Sequence, residues 1–440
     1  MLDVNVELIE KLKEFVSVVA SDNELLDFFR QSGNDFIRNR KLPFDKTVYL
    51  IANLCKKTLS AEIENFFAQD NGTLGCSVSA FVQQRLKLKA SFFDCWNRYL
   101  CNEWYELNAA GTKRWNQYRI IAADGSNVTL VNNNNLTTCF GGQRNQQSFF
   151  TVAKTFYYYD VLNELTVQST IGSYHCGELS MAYDMIDKTD EDMLIIYDRN
   201  FSNYKLMALH LWQEKERKFI IRAKDTLPII KDFIASGQSS VITSWPATLT
   251  AINGLRKSGY IITKNTFLKV RLIRVELPKG TEVLITNLWE EEGYCVSQFK
   301  DLYFMRWGIE TNISLQKNIM QLESFSGLTA TAVEQDFYAT VFLSNLHSVL
   351  IKDAQQTVDA AADKRKYPMK INKNKSFGKL KSVVANIFLT NGVIDIVRAL
   401  HNFFIKYLVP VRKGRSFERV RKNPQSKSKY RTFPNFKPAY

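Results

Sequence analysis

Two apolar runs near the middle of the chain, Arg119–Ala123 and Met193–Tyr197, each stop on an aspartate, Asp124 and Asp198. So short a run, bounded by turn formers, suits a buried strand better than a helix. Between them NNNN at 132–135 marks a loop, and residues 148–162 and 163–174 alternate as two further strands with Asn163 at their turn. Residues 177–188 and 202–213 carry helical spacing, and RKFIIRAK at 217–224 reads as another strand. Three strands followed by alternating helix and strand define an α/β sheet with an antiparallel flank. Ligand sites in open sheets form at strand ends, although a single aspartate there is more often a turn or cap residue. Two from one sheet can do more, because Mg²⁺ needs only a few carboxylate oxygens and fills its other positions with water and phosphate.

The flanking sequence has other textures. Residues 1–115 read as helical, with apolar positions three and four apart in VELIEKLKEFVSVVA, TVYLIANLCKKTL and SAFVQQRLKLKASFFDCWNRYL. Two helical patterns meet at NGTLG, 71–75, with Ser77 and Ser79 as candidate caps. They are either an ordinary helical hairpin or a DNA-reading helix-turn-helix presenting Gln83, Gln84, Arg85, Lys87 and Lys89. Helical spacing lapses over 225–290, where SSVITSWPATLT, GYIITKNTFLKVRLIRVEL and TEVLITNLW look like strands of a domain inserted into the sheet. A long helix is expected over 296–324, within a segment 291–345 that closes the α/β region, and more helices over 346–410.

Charge narrows the partner. The chain carries 58 Lys and Arg against 44 Asp and Glu, a net +14 that points to a polyanion. Residues 411–440 hold ten of those cations, one acid (Glu418) and three prolines, the pattern of an extended tail that follows a phosphate backbone. No apolar stretch is long enough to span a bilayer, so a membrane is not expected as partner, and the amphipathic start lacks a signal-peptide core. A cytoplasmic, nucleoid-associated protein is the expectation. Seven scattered cysteines without a C-x-x-C pair and four histidines outside ligand spacing speak against a disulfide scaffold and a zinc site. A metal here would be a hard cation on carboxylates.

Tyr303, Arg306, Glu310 and Lys317 fall at offsets that a continuous helix keeps within an arc of roughly 60°. One face then shows a phenol, a guanidinium, a carboxylate and an ammonium, which by itself could be a solvated face with an Arg306–Glu310 pair. The spacing Tyr-x2-Arg-x3-Glu-x6-Lys, however, resembles the signature of the DDE transposases of insertion sequence family four. ADGS at 123–126 and YDRNF at 197–201 resemble that family's first and second aspartate motifs. The resemblance covers about 115–345 and, more loosely, the N-terminal helices.

The resemblance implies a ribonuclease-H-like catalytic core interrupted by a β-rich insertion, with an all-helical N-terminal DNA-binding domain and a helical C-terminal region. Asp124, Asp198 and Glu310 would be the catalytic triad holding two Mg²⁺ or Mn²⁺ ions. Tyr303, Arg306, Lys317 and Arg199 would contact DNA, although Arg199 could equally pair with Glu178. The implied activity is metal-dependent cleavage at terminal inverted repeats and strand transfer to target DNA, by a homodimer assembled on double-stranded DNA. The alternatives are a ribonuclease-H-like nuclease that never joins ends, or an inactive, domesticated DNA-binding protein. One position departs from the pattern: Glu282 precedes Val283–Thr286 where some members place a base-stacking Trp. The base-flipping pocket and a hairpin intermediate are therefore not carried over.

Overall fold

The computed structural model describes residues 2–38, 41–53, 56–70, 75–146, 148–278, 280–361 and 365–412. Most of NGTLG and nearly all of the basic tail lie outside them. The chain divides into two compact units, Gly111–Val128 with Val152–Ser314, and Met1–Ala110 with Thr129–Thr151 and Leu315–Tyr440.

The sheet is built from β1 (Arg119–Thr129), β2 (Gly142–Arg144), β3 (Phe149–Asp160), β4 (Leu165–Ser173), β5 (Met193–Tyr197), β6 (Lys218–Arg222), β7 (Ser240–Pro246), β8 (Phe267–Leu277) and β9 (Gly280–Thr286). Its order is β2-β3-β1-β5-β6-β9-β8-β7, with β4 also on β3. β1, β5 and β6 are parallel, whereas β4 runs antiparallel to β3 and β9 antiparallel to β6. All five residues of β5 and the first five of β1 are buried, as their unbroken apolar sequence requires.

Three expectations are corrected in this unit. Asp124 lies inside β1, not in a turn after it, because β1 keeps β3 as a neighbour after β5 has ended. Thr155 of β3 donates its hydroxyl to the Ser126 carbonyl, 2.9 Å away, along that stretch. The strand-rich block 225–290 is not a body apart. Its three strands extend the same sheet, Ile220 of β6 pairing with Thr286 of β9, so the edge of β6 is covered by backbone that follows later. The block also holds two helices, Pro228–Ala235 and Leu249–Lys257, the second capped by Thr248 inside a run read as strand.

The long helix of 296–324 is also broken. It becomes Phe299–Phe304 and Trp307–Asn318, joined through bonds of three-residue span from Arg306 N to Tyr303 O, Gly308 N to Met305 O, and Ile309 N to Arg306 O. Gly308 lets the segment at the break lie close to Val161, since a Cβ there would be 3.2 Å from Cγ1 of that side chain. The break leaves Phe304 70% exposed, although continuous helical phase would have packed it on the sheet.

In the other unit the N-terminal helices and the C-terminal region share one core, rather than forming separate domains at 1–115 and 346–410. Trp96 of helix Ser91–Leu107 stacks on Phe342 of helix Ala330–Ala360 at 3.8 Å between centroids. Tyr49 stacks on Phe388. Ala330–Ala360 runs unbroken through the boundary expected at 345.

The proposed recognition helix is Val78–Arg85, capped by Ser77, but two of its candidate DNA-reading side chains point inward. Gln84 donates to the Leu42 carbonyl at 2.9 Å. Arg85, 1% exposed, bonds Gln335, Ser326 and the Ala332 carbonyl and meets Asp336 at 2.9 Å. Lys87 and Lys89 lie beyond the helix end, and Gln83 alone of the five stays exposed on it.

Burial by itself would raise the Asp336 carboxyl, but the Arg85 and Lys56 charges and the Ser326 hydrogen bonds outweigh it and hold the group at about 2. A depressed carboxylate stabilises the fold above the unfolded value near 4 and loses that contribution as pH falls toward 2. Asp336→Ala should destabilise this unit by about 3–5 kcal/mol at pH 7, because it strands a buried guanidinium. Denaturant titrations at pH 7 and pH 3 check this: the variant's deficit should shrink at the lower pH, and an unchanged deficit would mean the loss is one of packing.

Candidate active site

Ala123 of β1 stands opposite Tyr197 of β5, so Asp124 and Asp198 follow as neighbours on adjacent parallel strands. Asp198 accepts the Asn200 amide at 2.7 Å and caps the short turn Arg199–Phe201. Asp124 accepts the Gly125 amide at 2.8 Å. A Cβ on Gly125 would fall 2.4 Å from Cγ of Glu178, so only glycine lets the helix Glu178–Met185 bring that carboxylate so close.

The break before Trp307 sets the third acid. Arg306, almost fully buried, directs Nη2 to Oε1 of Glu310 at 2.8 Å and Nη1 toward Oδ2 of Asp124 at 3.7 Å. Its Nε has no hydrogen-bond partner among the described residues. Its guanidinium also lies over the Trp307 ring, 4.7 Å from the centroid. One cation thus sits between two of the three candidate acids.

The other candidates fall unevenly. Tyr303 is 8% exposed, its ring packed in a core cluster with Phe299, Leu302 and Leu284 rather than spread on a surface face. Arg199 is exposed and makes no ion pair among the described residues; Glu178 is taken by Lys154 at 3.4 Å. Lys317 belongs to the other unit, where its Nζ is 3.9 Å from Glu323. Arg222 escaped the sequence reading, and Glu282 was noted there only for the Trp it replaces. Arg222 ends β6, the next parallel strand after β5, and pairs with Glu282 at 2.8 Å. Extending the strand-end rule by one strand would have found it.

Among the described residues, no three His, Cys, Asp or Glu side chains converge closely enough to hold a metal. The donor chemistry nevertheless suits a hard divalent ion, three carboxylates with Arg306 supplying positive charge between Asp124 and Glu310. Among the described residues, no helix is long and apolar enough to cross a membrane.

No protein-family model matches the chain, and no curated protein does. Among solved structures, the chain is similar to a piggyBac transposase in a synaptic complex with hairpin DNA. The identity is 11%, over 95% of this chain and 88% of that one, with a TM-score of 0.41. So slight a likeness carries no reading of function, which rests on the residues of this chain.

Burial pushes the Asp124 carboxyl up to about 6; the Gly125 amide and Arg306 hold it down in part, while Asp198 and Glu178 push it further up. The folded protein therefore grips this proton more tightly than the unfolded chain. The resulting stabilisation is full below pH 4 and lost as pH rises through about 6. Asp124→Asn should consequently raise the metal-free protein's stability above pH 6, by at most about 3 kcal/mol, and leave it unchanged at pH 4. Thermal unfolding in EDTA across that range reads the difference; equal shifts at both pH values would show that Asp124 is not the strained group.

Proposed function

We propose that the protein is a DDE transposase of a bacterial insertion sequence, with a ribonuclease-H-like core. The observation that carries the reading is the placement of Arg306 between Asp124 and Glu310, one strand from Asp198. The strand order supports it too: antiparallel β4, β3 and β1, followed by β5 and β6 parallel to β1. In this reading Asp124, Asp198 and Glu310 hold two Mg²⁺ or Mn²⁺ ions, and the protein acts as a homodimer on double-stranded DNA.

Attack on a phosphodiester builds charge on the phosphoryl oxygens and needs an activated water or 3′-hydroxyl. The bound ions would supply both activation of the nucleophile and stabilisation of the leaving oxygen. Arg306 has a planar fork that fits a phosphate as well as it fits Glu310, so an arriving DNA strand can draw it off the acid. That exchange would free Glu310 for its ligand role as the substrate seats. Arg199, exposed and unpaired among the described residues, is free to meet the backbone, and Tyr303 and Lys317 would add contacts. The helical unit would recognise the terminal repeat, but through residues other than the buried Gln84 and Arg85. The basic tail would add salt-sensitive backbone affinity.

Glu310→Gln should abolish cleavage of a labelled duplex carrying the terminal repeat, by more than about 100-fold, the upper range for losing even an indirect metal partner. Affinity for the same duplex should stay within a few-fold. Parallel reactions with Mg²⁺, Mn²⁺ and EDTA, and a supercoiled target to capture joined product, check the assignment. Cleavage without joining would reduce the protein to a nuclease. Specific binding without cleavage in either metal would leave only a DNA-binding protein.

A further inference from the structure

The edge of the sheet that carries Asp198 has a second basic component. β5 and β6 are parallel with Tyr197 opposite Ile221, so Asp198 and Arg222 stand on neighbouring strands whose backbones are about 4.8 Å apart. Arg222 directs Nη2 to Oε1 of Glu282, 2.8 Å away on β9. Beside the pair is a cavity of about 30 Å³, lined also by Arg199 and, at its exposed rim, Asp225. That volume holds one water-sized group, the size of a phosphoryl oxygen. The Tyr303 phenol feels the charges of Arg222, Glu282 and Asp198 together, which puts the pair against the same corner as Arg306.

The pair is not needed as a fastener. β6 and β9 are already laddered, with Arg222 opposite Leu284 and the Ala223 amide donating to the Val283 carbonyl at 2.8 Å. A half-exposed ion pair adds little to that. What it does is keep a guanidinium extended beside Asp198 with one nitrogen on a carboxylate oxygen, and a phosphate oxygen can take that place. Arg199 adds a second guanidinium with no acid bound to it among the described residues.

We propose that Arg222, with Arg199 beside it, is a phosphate-binding residue for the nucleic-acid strand entering this corner, and that Glu282 is the internal counter-ion it leaves when phosphate arrives. The inference rests on the DNA-cleavage reading for the identity of the strand, and on Arg222 and Glu282 alone for the anion site.

The two partners of one ion pair separate the possibilities. If the pair is a structural staple, Arg222→Gln and Glu282→Gln break the same bond and act alike. If Arg222 binds phosphate, they act in opposite directions. Duplex affinity measured in EDTA against salt should fall about tenfold for Arg222→Gln, the loss of one charge-assisted contact. The slope of log K against log salt should drop by about one, and Arg222→Lys should restore it. Glu282→Gln should tighten binding several-fold at low salt. Parallel weakening by both glutamine variants, with matched losses in Tm, would overturn the proposal.

Inorganic pyrophosphate is the probe that does not depend on DNA. It should raise the Tm of Glu282→Gln more than that of the wild type and leave Arg222→Gln unmoved; equal stabilisation of Arg222→Gln would overturn the anion site. If wild-type protein fails to bind duplex while the pyrophosphate pattern holds, the nucleic-acid reading falls and the anion site stands.

Discussion

Carboxylates carried side by side by neighbouring parallel strands repel one another, and the corner that carries Asp124 and Asp198 depends on a guanidinium folded into it. Arg306 reaches Glu310 and Asp124 together, from a break in the chain that ideal helix geometry would not have produced. Its position follows from the tightened turn at 303–309, where Gly308 lies close against Val161. Tyr303, in the helix ahead of the break, is packed in the core with Phe299, Leu302 and Leu284. The corner is thus built by packing first, and its charges are arranged by what the packing leaves.

The sheet extends the same logic outward. A parallel set of three strands would expose the edge of β6, and the later strand β9 covers it in antiparallel sense. Covering that edge brings Glu282 beside Arg222, one strand along from Asp198. Charges of both signs therefore gather on neighbouring strands: Asp124 within β1, Asp198 just past β5, Arg222 at the end of β6 and Glu282 within β9. Arg222 is parked on Glu282 through a pair that water can partly reach, and such pairs exchange partners at little free-energy cost. The buried Arg85–Asp336 pair of the helical unit is the opposite case. It is closed to solvent and braced by Ser326 and Gln335, so it cannot exchange without losing the desolvation already incurred.

Much of the sheet was legible because strand signals are local. Unbroken apolar runs identified β5 and β6, and alternation identified β3 and β4. Two such runs marked the strands that carry Asp124 and Asp198, whereas their parallel pairing was not legible. What was not legible depended on partners far away in sequence. The pattern of Val78–Arg85 does not say which side is covered, and the residues that bury Arg85 lie 250 positions later. Nor does strand-like sequence over 225–290 say whether it forms its own body or joins an existing edge; β6 decided that. The helix break was hidden for another reason. Arg306 and Glu310 are four apart and pair in a continuous helix as readily as across a turn of shorter hydrogen bonds, so their spacing is blind to the difference.

That blindness bears on how the signature is to be understood. Read as one helical face, Tyr303, Arg306, Glu310 and Lys317 would be four contacts presented at once. With Arg306 on Glu310 and Asp124, the arginine neutralises the acids before it touches any phosphate. A phosphate that takes Arg306 also removes the positive charge that Glu310 was compensating, leaving its carboxylate free for another cation. Binding of the DNA strand and assembly of a metal-binding set would then be coupled through one side chain. The place of Arg306 at the break itself, between the helices Phe299–Phe304 and Trp307–Asn318, rather than the sharing of a face, is what would make that coupling geometrically available.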